Sequence, residues 1–214
     1  MTHSYLYLHG FCSGPQSAKA KYFHQRFQSV GLPLIRPDLN VPDFATLTLT
    51  RHLQQVKALL PSTGSVSIIG SSFGGLTAAL LAEDIPQIDR LVLLAPAFNF
   101  LDHWLPQLPP ADLLHWQTTG SYTLYHYGDQ QERSLRYQFI EDAQQPQYRV
   151  ESLKRSVQTL ILHGTADETI PFAASEAYAA DRPWVELIAL ESDHLLDNVT
   201  STLWHQTRSF LAIG

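Results

Sequence analysis

The stretch from Ser65 to Leu80 constrains the fold of this chain more than any other. It begins with the apolar, largely β-branched run Val66-Ser67-Ile68-Ile69, which is typical of a buried strand. It ends in small and apolar residues that favour a helix, and the turn between the two parts is Gly70-Ser71-Ser72-Phe73-Gly74. A strand that passes through a glycine-rich turn into a helix predicts a parallel sheet covered by helices.

This turn also has the spacing of a nucleophile elbow, Gly70-x-Ser72-x-Gly74. In an elbow, a strained strand-to-helix turn holds a serine hydroxyl above the end of the sheet. Glycines two residues before and after the serine avoid collisions with the neighbouring strand and helix. Ser72 is the predicted centre, because a centre at Ser71 would need glycine where the chain has Ile69. An ordinary turn is the alternative, and the flanking strand and helix favour the elbow.

Composition limits the class of protein. The 214 residues, 44% hydrophobic and 16% charged, are enough for one globular domain with a sizeable core. A net charge of -6 without a basic run argues against a nucleic-acid partner. The single Cys12 excludes an internal disulfide and fits a reducing compartment. Because no signal peptide and no membrane-spanning run is visible, we expect a cytoplasmic protein.

Strands and helices alternate along the chain. Apolar segments predict strands at Ser4–His9, Leu32–Leu39, Val66–Ile69, Arg90–Ala95, Val157–Gly164 and Trp184–Leu190, with helices at Gln16–Val30, Phe44–Leu60 and Asp197–Leu211. Several strands are apolar throughout, which is typical of a parallel sheet buried on both faces. The prolines of segment 32–39 favour an edge position for that strand. The prediction is an α/β fold with a mostly parallel sheet of about six strands and helices on both faces, in one domain spanning residues 1–214.

The first predicted strand leads directly into His9-Gly10-Phe11-Cys12-Ser13. A strand that ends in His-Gly can place a backbone N–H at an oxyanion hole. We expect the N–H of Phe11 to serve there, paired with the N–H of Phe73 directly after Ser72. An ordinary loop is the alternative interpretation. Cys12 in the same loop has no visible partner that would make it a nucleophile.

Acidic candidates follow the strand that ends at Gly164. Asp167 comes just past the strand end, where a carboxylate can orient a histidine base, and neighbouring Glu168 is the weaker candidate. A turn-forming aspartate is the alternative, since aspartate is common in such loops.

His194 follows the last predicted strand and comes after Asp167, which is the order that a Ser, Asp, His triad requires. It could act as general base toward Ser72. A packing or helix-capping histidine is the alternative. His163 precedes the acid and His205 lies inside a helix, so neither is favoured as the base. Asp193 is a poor orienter, because adjacent side chains diverge.

Residues 97–150 interrupt the alternation and form what we call the inserted segment. It is rich in aromatic residues, and Ser121–Tyr127 and Ser134–Ile140 could be two strands joined through Gly128-Asp129. A structureless loop of this length is unusual, so we expect a small cap over Ser72 that shapes an acyl-binding pocket. The alternative is that the aromatic residues only pack on each other. Its histidines lack metal-ligand spacing, and we expect no metal site.

Three motifs in the required order resemble the α/β-hydrolase superfamily: Gly70-Ser-Ser-Phe-Gly74, His163-Gly-Thr-Ala-Asp167-Glu-Thr-Ile-Pro171 and Ser192-Asp-His194. Tyr7-Leu-His-Gly-Phe-Cys-Ser13, Ser17-Ala-Lys19, Pro37-Asp-Leu39 and Arg136-Tyr-Gln-Phe-Ile-Glu-Asp142 further resemble the small bacterial YqiA/YcfP-like esterases. The resemblance implies hydrolysis of a carboxylic ester or thioester of a small-molecule substrate, without a cofactor.

Two other functions remain open at this point. A lyase or C–C-bond hydrolase could use the same three residues, since the menaquinone-pathway lyase of this superfamily also has a His-Gly-Phe loop and a Gly-x-Ser-x-Gly-Gly elbow. A non-catalytic binding protein on the same fold would be expected to have lost one of the three residues, and Ser72, Asp167 and His194 are all present. Fold alone would not decide between these functions.

Overall fold

The computed structural model describes residues 3–214, in which five parallel strands form the central sheet in the order β1-β2-β3-β6-β7. These strands are β1 (His3–Leu8), β2 (Ser65–Ser71), β3 (Ile88–Leu94), β6 (Gln158–Gly164) and β7 (Val185–Leu190). Between and after them lie the helices α1 (Ala18–Ser29), α2 (Leu49–Lys57), α3 (Phe73–Asp84), α7 (Phe172–Ala179) and α8 (Thr200–Leu211). The fold is that of an α/β hydrolase, as the sequence predicted.

Helices cover both faces of the sheet because the central strands are apolar on both sides. One face packs on α1 and α8 through residues such as Phe23, Phe27 and Leu203. The other face packs on α2, α3 and α7, and α3 is buried from Phe73 to Ala82. None of the helices formed within residues 3–214 is long and apolar enough to cross a membrane.

The sheet has one strand fewer than the predicted six, because the segment 32–39 does not form a regular strand. It pairs with β1 at one position only, where Ile35 N donates to Tyr5 O and Tyr7 N donates to Ile35 O. Pro33 and Pro37 on either side of Ile35 lack the N–H that would extend the ladder. The expected edge position holds, and the proline content limits pairing there to a single bridge.

The predicted helix 44–60 is divided in two. A short 3₁₀ helix, Phe44–Thr46, precedes α2, and the Thr48 hydroxyl accepts a hydrogen bond from Arg51 N at the start of α2. Threonine is a favoured N-cap, and this cap starts a new helix after the break.

The inserted segment contains helices and a two-stranded hairpin. Its elements are α4 (Phe100–Trp104), α5 (Pro110–Thr119), β4 (Ser121–His126), β5 (Gln131–Arg136), α6 (Gln138–Ala143) and 3₁₀ turns at Leu105–Gln107 and Pro146–Tyr148. The antiparallel hairpin confirms the first predicted strand, but the second strand begins and ends earlier than predicted, because residues 138–143 are helical. Phe139, Ile140 and Ala143 are buried at a helical spacing.

Candidate active site

Four loops meet at the carboxyl edge of the central sheet. The register pairs Leu8 with Gly70, Ser71 with Leu94, and Gly164 with Leu190, so the ends of β1, β2, β6 and β7 are near one another. Crevices at this edge are the usual ligand sites of open α/β sheets. The loops after β1, β2, β6 and β7, together with the first residue of α3, carry the five predicted site residues: Phe11, Ser72, Phe73, Asp167 and His194.

Ser72 lies in a strained turn between β2 and α3. Its φ is 52° and its ψ is -115°, a conformation that non-glycine residues rarely adopt. A Cβ on Gly70 would lie 2.4 Å from Gly74 O, and one on Gly74 would lie 2.3 Å from Leu8 O. Both glycines are therefore required by close backbone contacts, one with α3 and one with β1. Ser72, and not Ser71, occupies the turn.

The three predicted side chains lie in a hydrogen-bonded row. Ser72 Oγ is 3.0 Å from His194 Nε2, and His194 Nδ1 is 2.7 Å from Asp167 Oδ2. Because the carboxylate can only accept, His194 Nδ1 carries the proton and Nε2 accepts from the Ser72 hydroxyl. The Asp167 side chain is fully buried and that of His194 is 18% exposed, so the row runs from the interior to the surface.

The Asp167 carboxylate accepts hydrogen bonds from four N–H groups. Thr169 N and Ile170 N donate to Oδ1 at 2.9 Å and 2.8 Å. His194 Nδ1 donates to Oδ2, and His163 Nε2 lies 3.0 Å from the same oxygen. Burial alone would raise the pKa of the Asp167 carboxyl, but the hydrogen bonds from His163 and His194 outweigh burial and hold this pKa well below its ordinary value. Asp167 is therefore ionised throughout the physiological pH range.

The predicted oxyanion loop lies against the serine. A Cβ on Gly10 would be 3.3 Å from Ser72 Cβ, so the backbone after β1 passes directly beside the Ser72 side chain. Phe11 N and Phe73 N donate no hydrogen bond to any group within residues 3–214. Two free backbone N–H groups, one directly after Gly10 and one directly after Ser72, suit an oxyanion hole.

His9 holds the Gly10–Phe11 peptide in place. Its buried ring accepts from Leu39 N at Nε2, at 3.0 Å, so Nδ1 carries the proton and donates to Gly10 O at 2.9 Å. Burial lowers the pKa of His9, which favours this neutral form. Because a peptide group is planar and trans, fixing Gly10 C=O in one direction points the Phe11 N–H in the opposite direction.

Aromatic side chains of the inserted segment cover this loop. The Phe139 ring stacks on Phe11 with centroids 5.1 Å apart and lies 5.6 Å from Phe73, and Trp104 lies 5.6 Å from Phe11. The aromatic residues therefore pack on each other, as one interpretation of the sequence held, and they pack on both residues that carry the candidate oxyanion N–H groups.

Sequence reasoning missed three residues of the site: His9, His163 and Gly164. A Cβ on Gly164 would lie 2.3 Å from Ser192 O, so only glycine lets the loop that carries His194 approach the end of β6. A repeated dipeptide could have pointed to these residues, since His9-Gly10 directly follows β1 and His163-Gly164 ends β6. His163 was set aside as a base, and the structure places it on Asp167 rather than on Ser72.

Cys12 and a metal ion are the remaining candidates for chemistry here. Burial raises the pKa of the Cys12 thiol to about 12, so this thiol stays protonated at neutral pH and is a poor nucleophile. Within the described range 3–214, His, Cys, Asp and Glu side chains form no group of three that could hold a metal ion.

The sequence matches one protein family over almost its whole length. The model of that family, described as an uncharacterised protein family (UPF0227), matches residues 4–211. The chain belongs to this family. No curated protein sequence matches the chain.

Solved structures of α/β hydrolases share the fold. Alpha/beta hydrolase domain-containing protein 10 from mouse superposes with a TM-score of 0.81 at 23% identity, covering 98% of this chain and 89% of the mouse chain. Est1E from Butyrivibrio proteoclasticus, solved with ferulic acid bound, has a TM-score of 0.81 at 22% identity and covers 99% of this chain and 88% of its own. The likeness to these structures confirms the predicted α/β-hydrolase fold.

Asp167→Asn is expected to destabilise the protein by about 3 kcal/mol at neutral pH, since it removes a buried charge from its donors. The pKa of Asp167 is lower in the folded protein than its ordinary value of 3.8, so its stabilising effect is present above that value and is lost as the pH falls below it. The difference in free energy of unfolding from wild type should shrink below about pH 4.

Urea denaturation across this pH range measures the difference. Asp181→Asn, which neutralises an exposed carboxylate, is the matched control and should change stability by less than about 0.5 kcal/mol. A difference for Asp167→Asn that stays constant down to about pH 3 would contradict the assignment of the low pKa to Asp167.

Proposed function

We propose that this protein is a serine hydrolase that cleaves carboxylic esters or thioesters through an acyl-enzyme. The observation that carries the proposal is the row from Ser72 Oγ through His194 to Asp167, with contacts of 3.0 Å and 2.7 Å, built on a backbone turn that is strained at the serine. A strained serine hydrogen-bonded to a histidine that is itself oriented by a buried carboxylate is the arrangement of an activated nucleophile.

In the first half of the reaction, Ser72 Oγ attacks the acyl carbon and His194 Nε2 takes the hydroxyl proton. Asp167 keeps the other ring proton on His194 Nδ1 and stabilises the imidazolium cation that forms. His194 then donates its Nε2 proton to the leaving alkoxide or thiolate as the bond to the acyl carbon breaks. The products of this half are the free alcohol or thiol and an ester of Ser72.

The oxyanion of the tetrahedral intermediate is assigned to the N–H groups of Phe11 and Phe73. Both are backbone donors fixed before substrate binds, so they need not reorganise as charge develops. His9 contributes by holding the peptide that carries the Phe11 N–H. In the second half, water attacks the acyl carbon and His194 takes its proton. His194 then returns this proton to Ser72 Oγ as the bond to the acyl carbon breaks, which releases the carboxylic acid.

The comparisons agree with this reaction class. Est1E was solved with ferulic acid, which is a carboxylic acid and thus the kind of product that ester hydrolysis releases. The fold is common to many hydrolases and would by itself allow other chemistry. Support for ester or thioester cleavage comes from the geometry of Ser72, His194 and Asp167.

A cavity of about 320 Å³ lies between α3 and the inserted segment, and Ser72, Asp167 and His194 are not among its lining residues. Leu76, one turn along α3 from Ser72, lines it together with Phe100, Leu105 and Ala143, and Arg149 lies at its polar side. The Phe100 ring is 5.3 Å from the Phe73 ring, which links the cavity to the residue after the nucleophile. Its lining combines apolar side chains with polar ones such as Asn99 and Gln144, and a cavity of this size is typical of a small-molecule site. We propose that it receives the acyl chain.

The hydrolysis of p-nitrophenyl esters from acetate to palmitate tests the proposed reaction. Wild type should release p-nitrophenol, and Ser72→Ala should lower kcat by about 10³-fold or more, because the nucleophile is lost. Ser71→Ala is the matched control and should remain active, since Ser71 precedes the turn as the last residue of β2.

Equal turnover by wild type and Ser72→Ala would overturn the proposal. If neither protein cleaves any ester or thioester, the same two proteins should be tested on β-keto and cyclohexadiene substrates. Turnover of those substrates by wild type alone would favour the lyase or C–C-bond hydrolase instead.

Ala143→Phe tests the acyl cavity. The larger side chain should fill space lined by Leu76 and Phe100, so kcat/KM for long-chain esters should fall by about tenfold while kcat/KM for acetate changes little. Ala143→Ser, which preserves the volume, is the control. A loss that is equal for acetate and for long chains would show that the acyl group binds elsewhere.

A further inference from the structure

His163 lies fully buried on the side of Asp167 opposite to the exposed end of the row. Its Nε2 is 3.0 Å from Asp167 Oδ2 and 3.0 Å from Ile170 O, and its Nδ1 is 2.7 Å from Ser175 Oγ. Resting on the proposed function, we infer that His163 is a positioning residue that fixes Oδ2 of Asp167 toward His194 and thereby sets the rate of acyl transfer.

The hydrogen-bond partners determine the protonation of the ring. Nε2 faces a carboxylate oxygen and a carbonyl oxygen, and neither can donate, so Nε2 carries a proton. The Ser175 hydroxyl can donate to Nδ1, which satisfies every polar atom of the ring. Ser175 lies on α7 and is itself fully buried, so the helix locks this tautomer from the other side of the ring.

The two oxygens of Asp167 depend on different parts of the chain. Oδ1 is held by the backbone N–H groups of Thr169 and Ile170, so its hydrogen bonds do not depend on the side chains at these two positions. Within residues 3–214, His163 and His194 are the donors to Oδ2. Without His163, only the general base itself would hold Oδ2, and the carboxylate could turn about its bond to the chain. A small misplacement of a group that orients the base costs rate.

The electrostatics of the carboxyl agree with this role. Among the contacts that lower the pKa of Asp167 against the effect of burial, the hydrogen bond from His163 stands beside that from His194. In the tautomer with Nδ1 as acceptor, His163 stabilises the carboxylate without placing a second positive charge near His194, which must become positive during the reaction.

The experiment compares kcat and KM of wild type, His163→Leu and His163→Gln on a p-nitrophenyl ester. His163→Leu keeps the approximate size but removes the donor, and kcat should fall by about 10- to 100-fold with KM changed by less than about twofold. His163→Gln can place its amide N–H on Oδ2 and should recover kcat to within about fivefold of wild type. Thr159→Val, at a buried polar position on the same strand, is the control for altered packing.

A spectroscopic readout needs no substrate. The downfield ¹H NMR signal of the proton between His194 Nδ1 and Asp167 should move in His163→Leu, stay near its wild-type position in His163→Gln, and be unchanged in Thr159→Val. Thermal unfolding of the two His163 variants should give similar Tm values, so that the difference between them reports the donor and not the stability.

The outcomes separate this inference from the proposed function. Wild type that cleaves no ester contradicts the proposed function, and an NMR signal unmoved in His163→Leu then also overturns the role of His163. Active wild type with equal kcat losses in His163→Leu and His163→Gln overturns this role alone, because a packing role would explain both losses. Unchanged kcat in His163→Leu overturns it as well.

Ser175→Ala provides the same test with His163 in place, should His163→Leu not fold. Loss of the hydroxyl removes the contact that holds Nδ1, so the ring can turn away from Oδ2, and kcat should fall by about three- to tenfold with a shifted NMR signal. An unchanged kcat together with an unchanged signal would overturn the inference.

Discussion

The buried carboxylate of Asp167 is the group on which the rest of the site depends. A carboxylate without solvent is stable only when its oxygens are fully hydrogen-bonded, and four N–H groups from three elements meet on this one. Each donor is held in position because its hydrogen bond to Asp167 stabilises the buried charge. The loop after β6, the strand end at His163 and the loop that carries His194 are therefore coupled through one charge.

Close backbone packing positions the turn around Ser72 and the loop that carries His194. Gly70 and Gly74 let the turn around Ser72 pass between α3 and β1, and Gly164 lets the loop before His194 approach β6. Because these contacts are between backbones, they leave little freedom in the distance from Ser72 to His194. The geometry of the candidate site is thus a consequence of how tightly the strand ends are packed.

The sequence allowed much of this site to be located because its motifs are local. The Gly-x-Ser-x-Gly turn is recognised from the glycines two residues before and two residues after Ser72. Asp167 and His194 are recognised because they follow two apolar strands in the required order. The α/β fold follows from the same alternation. The geometry agrees with the positions chosen for all three residues, and their catalytic roles remain a proposal.

Features that depend on distant parts of the chain could not be predicted. His9 is held by Leu39 N, 30 residues away, and His163 is held by Ser175 on α7, and no local pattern marks these two partners. The single bridge at Ile35 depends on how two prolines limit pairing with β1, which the sequence indicates only as an edge preference. The helix at 138–143 replaced the end of a predicted strand, and its residue Phe139 packs against Phe11.

The central claim is that Ser72 is a nucleophile activated by His194 and Asp167. Labelling with a fluorophosphonate, followed by peptide mass spectrometry, tests it directly because the probe reports the reactive serine without knowledge of the substrate. The account predicts one label per chain, located on Ser72, at a rate that falls sharply in His194→Ala. Absence of a label, a label on Ser71, or equal labelling in His194→Ala would contradict it.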